Sequence, residues 1–267
     1  MNLSIRFPNI SAYFEGMNKS FTVFGFEITV YGILVAVGML FGLAVIMLQV
    51  RKHKENPNLY LGMVLVSLIG GLIGARLYYV IFEWDYYKEN LLQIFNLRAG
   101  GLAIYGGVIA GAITMIVYTR VKKVSFFSMA DTGVLGLVTG QIIGRWGNFF
   151  NCEAFGGYTD SLLAMRIKRS LVNDNMLNAD VLNHRIVENG VEFIQVHPTF
   201  FYESCWNLCL LIFMLWFRRY KKYDGQMLWI YLLGYGTGRF WIESLRTDQL
   251  ILFGTGLPVS QALSLVL

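Results

Sequence analysis

Metal-binding side chains are scarce in this chain. It holds three histidines (His53, His184, His197) and three cysteines (Cys152, Cys205, Cys209), with no paired Cys/His spacing. That scarcity argues against a transition-metal centre and gives no disulfide framework. Cys205 and Cys209, four residues apart, share one helical face and read most simply as small apolar residues. Charge is also sparse, at 15% of the sequence, where a soluble domain carries about 25%. Proline occurs four times in 267 residues. No basic stretch precedes the first apolar run, and the opening residues are mixed and polar, with Arg6, Pro8 and Glu15. A cleavable signal peptide is not expected from that pattern.

What the chain has instead is apolar length. Hydrophobic residues make up 55% and glycine occurs 28 times, a composition that suits closely packed membrane helices. The net charge of +5 needs no nucleic-acid partner, because the basic residues gather in short loops between apolar runs. Those runs predict spanning helices near 22–50, 59–82, 101–119, 126–146, 199–217 and 226–245, each near the 20 or so residues a bilayer requires. A seventh segment, from about 250 to Leu267, is short for a full crossing. The expected fold class is an all-α polytopic membrane protein of about seven transmembrane helices with a small extracytoplasmic head. Residues 1–146 supply an outer N-terminal segment and helices one to four, 147–198 a signature loop and head, and 199–267 the remaining helices. Arg51, Lys52 and Lys54, then Arg120, Lys122 and Lys123, then Arg218, Arg219, Lys221 and Lys222 follow alternate spans. These loops are expected to face the cytoplasm, which sets the amino terminus outside.

On that topology the polar motifs fall on the outer side. Arg145, Asn148, Asn151 and Glu153 stand at the end of the fourth span, and His197, Tyr202 and Glu203 at the start of the fifth. Arg239, Glu243 and Arg246 close the sixth; Tyr105, among glycines, opens the third, and Tyr31 lies in the first. Charge beside membrane hydrocarbon is costly and marks reaction sites or pathways. Two guanidinium forks suit an anionic phosphate, which they bind bidentately while staying charged at any working pH. Simpler roles also fit these residues one at a time: Arg145 pairing with Glu153, Arg239 with Glu243, Tyr31 as an interfacial aromatic, and Gly70, Gly71 and Gly74 as close helix packing with Arg76 as a third buried arginine. A lipid transporter or scramblase would use the same arginines, but the internal repeats such folds often carry are not seen.

At these residues the chain resembles the bacterial prolipoprotein diacylglyceryl transferases. The family block Gly-Arg-x-Gly-Asn-Phe-x-Asn-x-Glu-x-x-Gly fits Gly144 through Gly156 at every fixed position. The resemblance continues in Tyr31-Gly32, Gly74-Ala75-Arg76-Leu77, the Gly-Gly-Leu-Ala-Ile-x-Gly-Gly stretch around Tyr105, His197-Pro198-Thr199 with Tyr202-Glu203, and Gly238-Arg239-Phe240 with Glu243, Arg246 and Asp248. It implies a plasma-membrane enzyme that moves the diacylglyceryl group of phosphatidylglycerol onto the lipobox cysteine of a prolipoprotein, with no metal or dissociable cofactor. The catalytic residues it implies are Arg145, Arg239, Tyr105, Asn148, Glu153 and Tyr31. Phosphatidylglycerol is expected to meet Arg145, Arg239, Asn148, Asn151, Gly156, Arg76, Glu203, Glu243 and Arg246. The bilayer is the other expected partner, nucleic acid is not, and a monomer is the default state. Some family members carry histidine at the position of Tyr105, assigned as the base for the substrate thiol. Tyrosine, with an ordinary pKa of about 10, is a poor base for a thiol near 8.5, so Tyr105 as a relay, His197 and Glu203 stay open as alternatives.

Overall fold

Backbone pairing begins at once in this chain. The computed structural model describes residues 2–97, 100–249 and 258–266. Strand β1 (Asn2–Phe7) alternates buried Leu3, Ile5 and Phe7 with outward residues and pairs antiparallel with β2 (Ala12–Asn18). A hairpin follows, β3 (Ser20–Val23) and β4 (Phe26–Thr29). Its turn residues Phe24 and Gly25 both take positive φ, 49° and 80°, the geometry of a tight two-residue hairpin. Then come helices α1 (Val30–Lys52), α2 (Pro57–Phe82), the single turn α3 (Trp84–Tyr87), α4 (Ile104–Val121) and α5 (Phe126–Asn151). Strands β5 (Met165–Lys168), β6 (Ile186–Glu188) and β7 (Val191–Val196) flank the short α6 (Ala179–Asn183). Helices α7 (Thr199–Phe217), α8 (Gln226–Leu245) and α9 (Val259–Val266) complete the described chain.

The all-α expectation is therefore corrected: the protein is mostly helical but carries strands. Five of these lie in one antiparallel sheet of order β2-β1-β5-β7-β6. Its core of Leu3, Ile5, Met165, Ile167, Ile194 and Val196 packs against Phe149, Phe155 and Phe200. Arg6 and Arg166 converge on Glu188 across this sheet. The first span starts at Val30 rather than near 22, because the residues ahead of it alternate apolar and polar with period two and close on Phe24-Gly25. The fourth span runs to Asn151 rather than 146, since a helix ends where its hydrogen bonding ends and not where apolarity does. Cys152 and Ala154, in the left-handed region at φ 56° and 54°, stop it. Among the described residues five helices are long and apolar enough to cross a membrane: α1, α2, α4, α5 and α7 with the turn after it. The expected seventh segment falls partly on residues 250–257, which lie outside the described residues; α9 beyond them has eight residues, about 12 Å of helix.

The chain divides into two compact units, one of residues 1–42, 134–221 and 227–267 and one of residues 43–133 and 222–226. The second is organised by α2 against α4. Small residues let these two backbones meet: a Cβ on Gly74 would overlap the Cβ of Ala110 and lie 2.7 Å from the carbonyl oxygen of Gly106. Tyr118 closes the other end by donating to the Leu59 carbonyl at 2.8 Å. Arg76, buried on α2, holds the segment between α3 and α4. Its Nε donates to Ile94 O at 2.8 Å, Nη1 to Gly100 O at 2.7 Å and Gly101 O at 2.9 Å, and Nη2 to Gln93 O at 2.6 Å and Asn96 O at 3.1 Å. All five N–H groups of a guanidinium are thereby used on backbone carbonyls. Tyr87 stacks under the cation with its ring centre 5.2 Å from Cζ. Five carbonyls of the chain's own backbone thus hold the guanidinium that the sequence marked for phosphatidylglycerol.

Arg76→Ala is expected to lower the thermal midpoint of the detergent-solubilised protein and to open residues 90–101 to proteolysis. Arg76→Lys should restore only part of the loss, because an ammonium has three donors without the planar fork. Each hydrogen bond to a charged group contributes about 1.5–3 kcal/mol, so a midpoint unchanged by either substitution would remove this role.

Candidate active site

The first unit gathers the arginines that the sequence singled out. Glu203, in the first turns of α7 and 3% exposed, is the centre. Its Oε1 pairs with Arg145 Nη2 of α5 at 2.6 Å, and its Oε2 with Arg239 Nη1 of α8 at 3.3 Å. Arg239 Nη2 reaches Glu243 Oε2, one turn on, at 2.5 Å. Glu243 lies 4.0 Å from Arg246 Nε, and Arg246 grips Asp248 with two hydrogen bonds of 2.9 and 2.7 Å. Six alternating charges thus run Arg145–Glu203–Arg239–Glu243–Arg246–Asp248 through largely buried surroundings. An unpaired buried charge is strongly destabilising, and in this chain each charge has an opposite one within 4.0 Å. Ser260 of α9 touches the chain at Arg239 Nη2, 3.5 Å away.

Helical spacing explains part of this. Arg239 and Glu243 stand at i, i+4 and Glu243 and Arg246 at i, i+3, so α8 presents them on one stripe. Tyr235, one turn earlier on the same stripe, lies close enough to Arg145 to interact with it electrostatically. That tyrosine was missed in the sequence, where the four-residue step Tyr235–Arg239–Glu243 was the signal that pointed to it. The rest comes from α5 and α7 lying together: Trp146 Nε1 donates to Ser204 Oγ at 3.2 Å, and Ser204 Oγ donates to the Ile142 carbonyl at 2.9 Å.

The signature amides lie apart from that chain of charges in their bonding. Asn148 and Asn151 donate through Nδ2 to the same Glu153 oxygen, at 3.0 and 3.1 Å. Glu153 therefore orients two amides and is not the partner of Arg145, which the simpler sequence reading had paired with it. Cys152 beside them is buried, and burial pushes its thiol up, so it stays protonated and unreactive. Gly156 ties three segments together. Its N–H donates to His197 O at 2.9 Å, Gly157 N–H donates to Leu245 O at 2.8 Å, and a Cβ at Gly156 would lie 2.7 Å from Leu245 O and 2.8 Å from the His197 side chain. The loop after α5, the start of α7 and the end of α8 are thus fastened at one glycine. Tyr31 packs its ring on Gly147, where a Cβ would overlap it.

The candidate bases differ in what they have to spare. Glu203 is committed to two guanidiniums. His197, half-buried, has its pKa pushed down by burial and is neutral at pH 7; its Nδ1 lies 3.3 Å from the Tyr202 hydroxyl. Tyr105 belongs to the second unit, in the first turn of α4, 37% exposed. Among the described residues no group of three or more His, Cys, Asp or Glu side chains is arranged to hold a metal ion.

The family model of the prolipoprotein diacylglyceryl transferases matches residues 18–267. The chain is 42% identical over 247 residues to the phosphatidylglycerol–prolipoprotein diacylglyceryl transferase of Clostridioides difficile strain 630, covering 92% of this chain and 89% of that one. It is 37% identical over 249 residues to the enzyme of that name from Finegoldia magna, covering 93% and 90% of the two chains. With the enzyme of the same name from Clostridium botulinum strain Langeland it shares 37% identity over 235 residues, 87% of this chain and 86% of the other. The match of the family model over residues 18–267 and the identity to these relatives over most of the chain place it in the prolipoprotein diacylglyceryl transferase family.

Proposed function

We propose that this protein transfers the diacylglyceryl group of phosphatidylglycerol to the cysteine thiol of prolipoproteins, the first step of bacterial lipoprotein maturation. The observation that carries this reading is Glu203 holding Arg145 and Arg239 together in a buried setting, within a chain that matches the transferase family along most of its length.

The chemistry follows from the charges. The substrate thiolate attacks the diacylglyceryl carbon that bears the phosphate ester; a C–S bond forms, the C–O bond breaks, and its electron pair leaves on the phosphate oxygen as glycerol 1-phosphate. Charge on the phosphate grows as the bond breaks. Arg145 and Arg239, held in position before the reaction, stabilise that growing charge without reorganising. The same positive field favours the thiolate of the incoming cysteine over the thiol. A dedicated base is then less necessary, and the thiol proton passes to His197 or to water, with Tyr105 as a relay at most. Asn148, Asn151 and Glu153 orient the lipid, Tyr31 bonds the headgroup or the peptide, and Glu243 and Arg246 hold Arg239 in place.

The same reading extends to the surroundings. We take α8 and the C-terminal segment as further spanning elements, which brings the total to seven, and the five-stranded sheet as a head on the outer side. The site then faces the outer leaflet of the plasma membrane, with the amino terminus outside, and both membrane-anchored substrates arrive from the bilayer. The protein acts as a monomer on the lipobox of its prolipoprotein.

Purified protein incubated with phosphatidylglycerol and a lipobox peptide should give a diacylglyceryl mass gain on the cysteine; lipid movement without a covalent product would point to a transporter. Arg145→Ala should cut turnover by at least ~10²-fold, the loss typical for one charge-stabilising donor, while the protein still folds, because Arg239 remains as partner to Glu203. An Arg145→Ala enzyme of normal activity would remove the clamp.

Tyr105→Phe is expected to keep activity within about tenfold. General-base catalysis contributes about 10²–10⁴, so a loss of that size would make the Tyr105 hydroxyl the proton acceptor after all.

A further inference from the structure

A second polar layer lies along the same three helices, and the transfer reaction makes no use of it. Gln141 stands four residues before Arg145 on α5, Asn207 four after Glu203 on α7, and Tyr231 eight before Arg239 on α8. The Arg145–Glu203 pair joins the last turns of α5 to the first turns of α7. A four-residue step back along α5 and forward along α7 therefore leads the same way, by about one helical turn of 5.4 Å. Ser204 Oγ on the Ile142 carbonyl at 2.9 Å keeps α5 and α7 in register at this level. Gln141 Nε2 donates to the Tyr231 hydroxyl at 2.9 Å and brings α8 to the same place, and Trp206 Nε1 on the Gly234 carbonyl at 2.8 Å joins α7 to α8.

Asn207 is 0% exposed, and neither its Nδ2 nor its Oδ1 has a protein partner. Gln141 Oε1 is in the same condition. A buried polar group without a hydrogen bond is costly and is normally satisfied by some partner. The inventory of what is unmet identifies the guest. Gln141 Oε1 and Asn207 Oδ1 need donors. The two Asn207 Nδ2–H groups and the Tyr231 hydroxyl hydrogen, free because its oxygen already accepts from Gln141, need acceptors. The guest must bring two donors and at least two acceptors. Ester and phosphate oxygens only accept, so no part of a lipid's ester region fits, and a single alcohol is one donor short. A water molecule has two of each, and buried waters typically make about three such bonds. A vicinal diol, as in a glycerol headgroup, also carries two donors, but the complete burial of Asn207 favours the smaller guest.

We propose that Gln141, Asn207 and Tyr231 form a binding site for one ordered water molecule, which joins α5, α7 and α8 about one turn beyond the ion network. The site is a property of the folded protein and stands apart from the transfer reaction.

The direct test is a map of the full-length protein, in bilayers of phosphatidylcholine with and without phosphatidylglycerol, fine enough to resolve ordered water. A peak within hydrogen-bond reach of Asn207 Nδ2 and Gln141 Oε1 under both conditions is expected. A peak that appears only with phosphatidylglycerol would replace the water by a headgroup diol, and a direct Asn207–Gln141 bond or an empty gap would overturn the site. Thermal unfolding supplies a second arm. Asn207→Leu and Gln141→Leu should each lower the midpoint, on the order of 5 °C, and the double variant should fall no further than the worse single one, because either change expels the same water. Additive losses would overturn the shared site. The map of the unaltered protein decides the matter even where a variant does not fold.

Discussion

One carboxylate shared between two guanidiniums is the constraint on which this site depends. Arg145 and Arg239 belong to different helices and would repel each other in a buried setting. Glu203, reaching one with each oxygen, converts that repulsion into a fixed spacing. The arrangement demands that α5 end, α7 begin and α8 end at the same level, and the local structure provides for each. Left-handed residues at Cys152 and Ala154 stop α5, Pro198 precedes the first turn of α7, and Arg246 lies just past the last turn of α8.

Gly156 keeps those three ends in place. Its backbone bonds to His197 and its pairing with Arg246 draw the start of α7 and the end of α8 against the loop that leaves α5. A side chain there would meet Leu245 O and His197 at less than 3 Å, so close approach of backbones requires the glycine of the signature block. The asparagines of the block do a different job. Both are turned onto Glu153, which leaves their orientation dependent on a carboxylate that the arginines never touch. The block therefore encodes two devices, one electrostatic and one that fixes the amides, joined by a single turn of helix.

Much of this was legible in the sequence, and the limits follow from distance along the chain. Arginines in apolar runs marked the site, and the i, i+4 step from Arg239 foretold Glu243. Glu203 was marked as a site residue, but its role as the common partner was not, because it lies 58 residues from Arg145 and no periodicity links them; the nearer Glu153 was the natural guess. The same reason hides the sheet. The strand β1 finds its partner β5 some 160 residues later, so the amino-terminal residues read as an outer segment rather than part of a sheet. Residues from about 22 to 29 were read as the start of a spanning helix from their apolarity, although the alternation through 20–29 and the Phe24-Gly25 turn carry the signal for a hairpin. Arg76 was marked from its residue type and apolar setting, and its five bonds to carbonyls lie too far along the chain for periodicity to show them.

The charges are unevenly placed along this chain. Arg145, Glu203 and Arg239 together carry one net positive charge, while Glu243, Arg246 and Asp248 carry one net negative charge, so the whole chain is neutral but polarised towards Arg145. Arg239 already divides its donors among Glu203, Glu243 and Ser260, and Arg246 gives its fork to Asp248. Arg145 meets the network through a single nitrogen, Nη2.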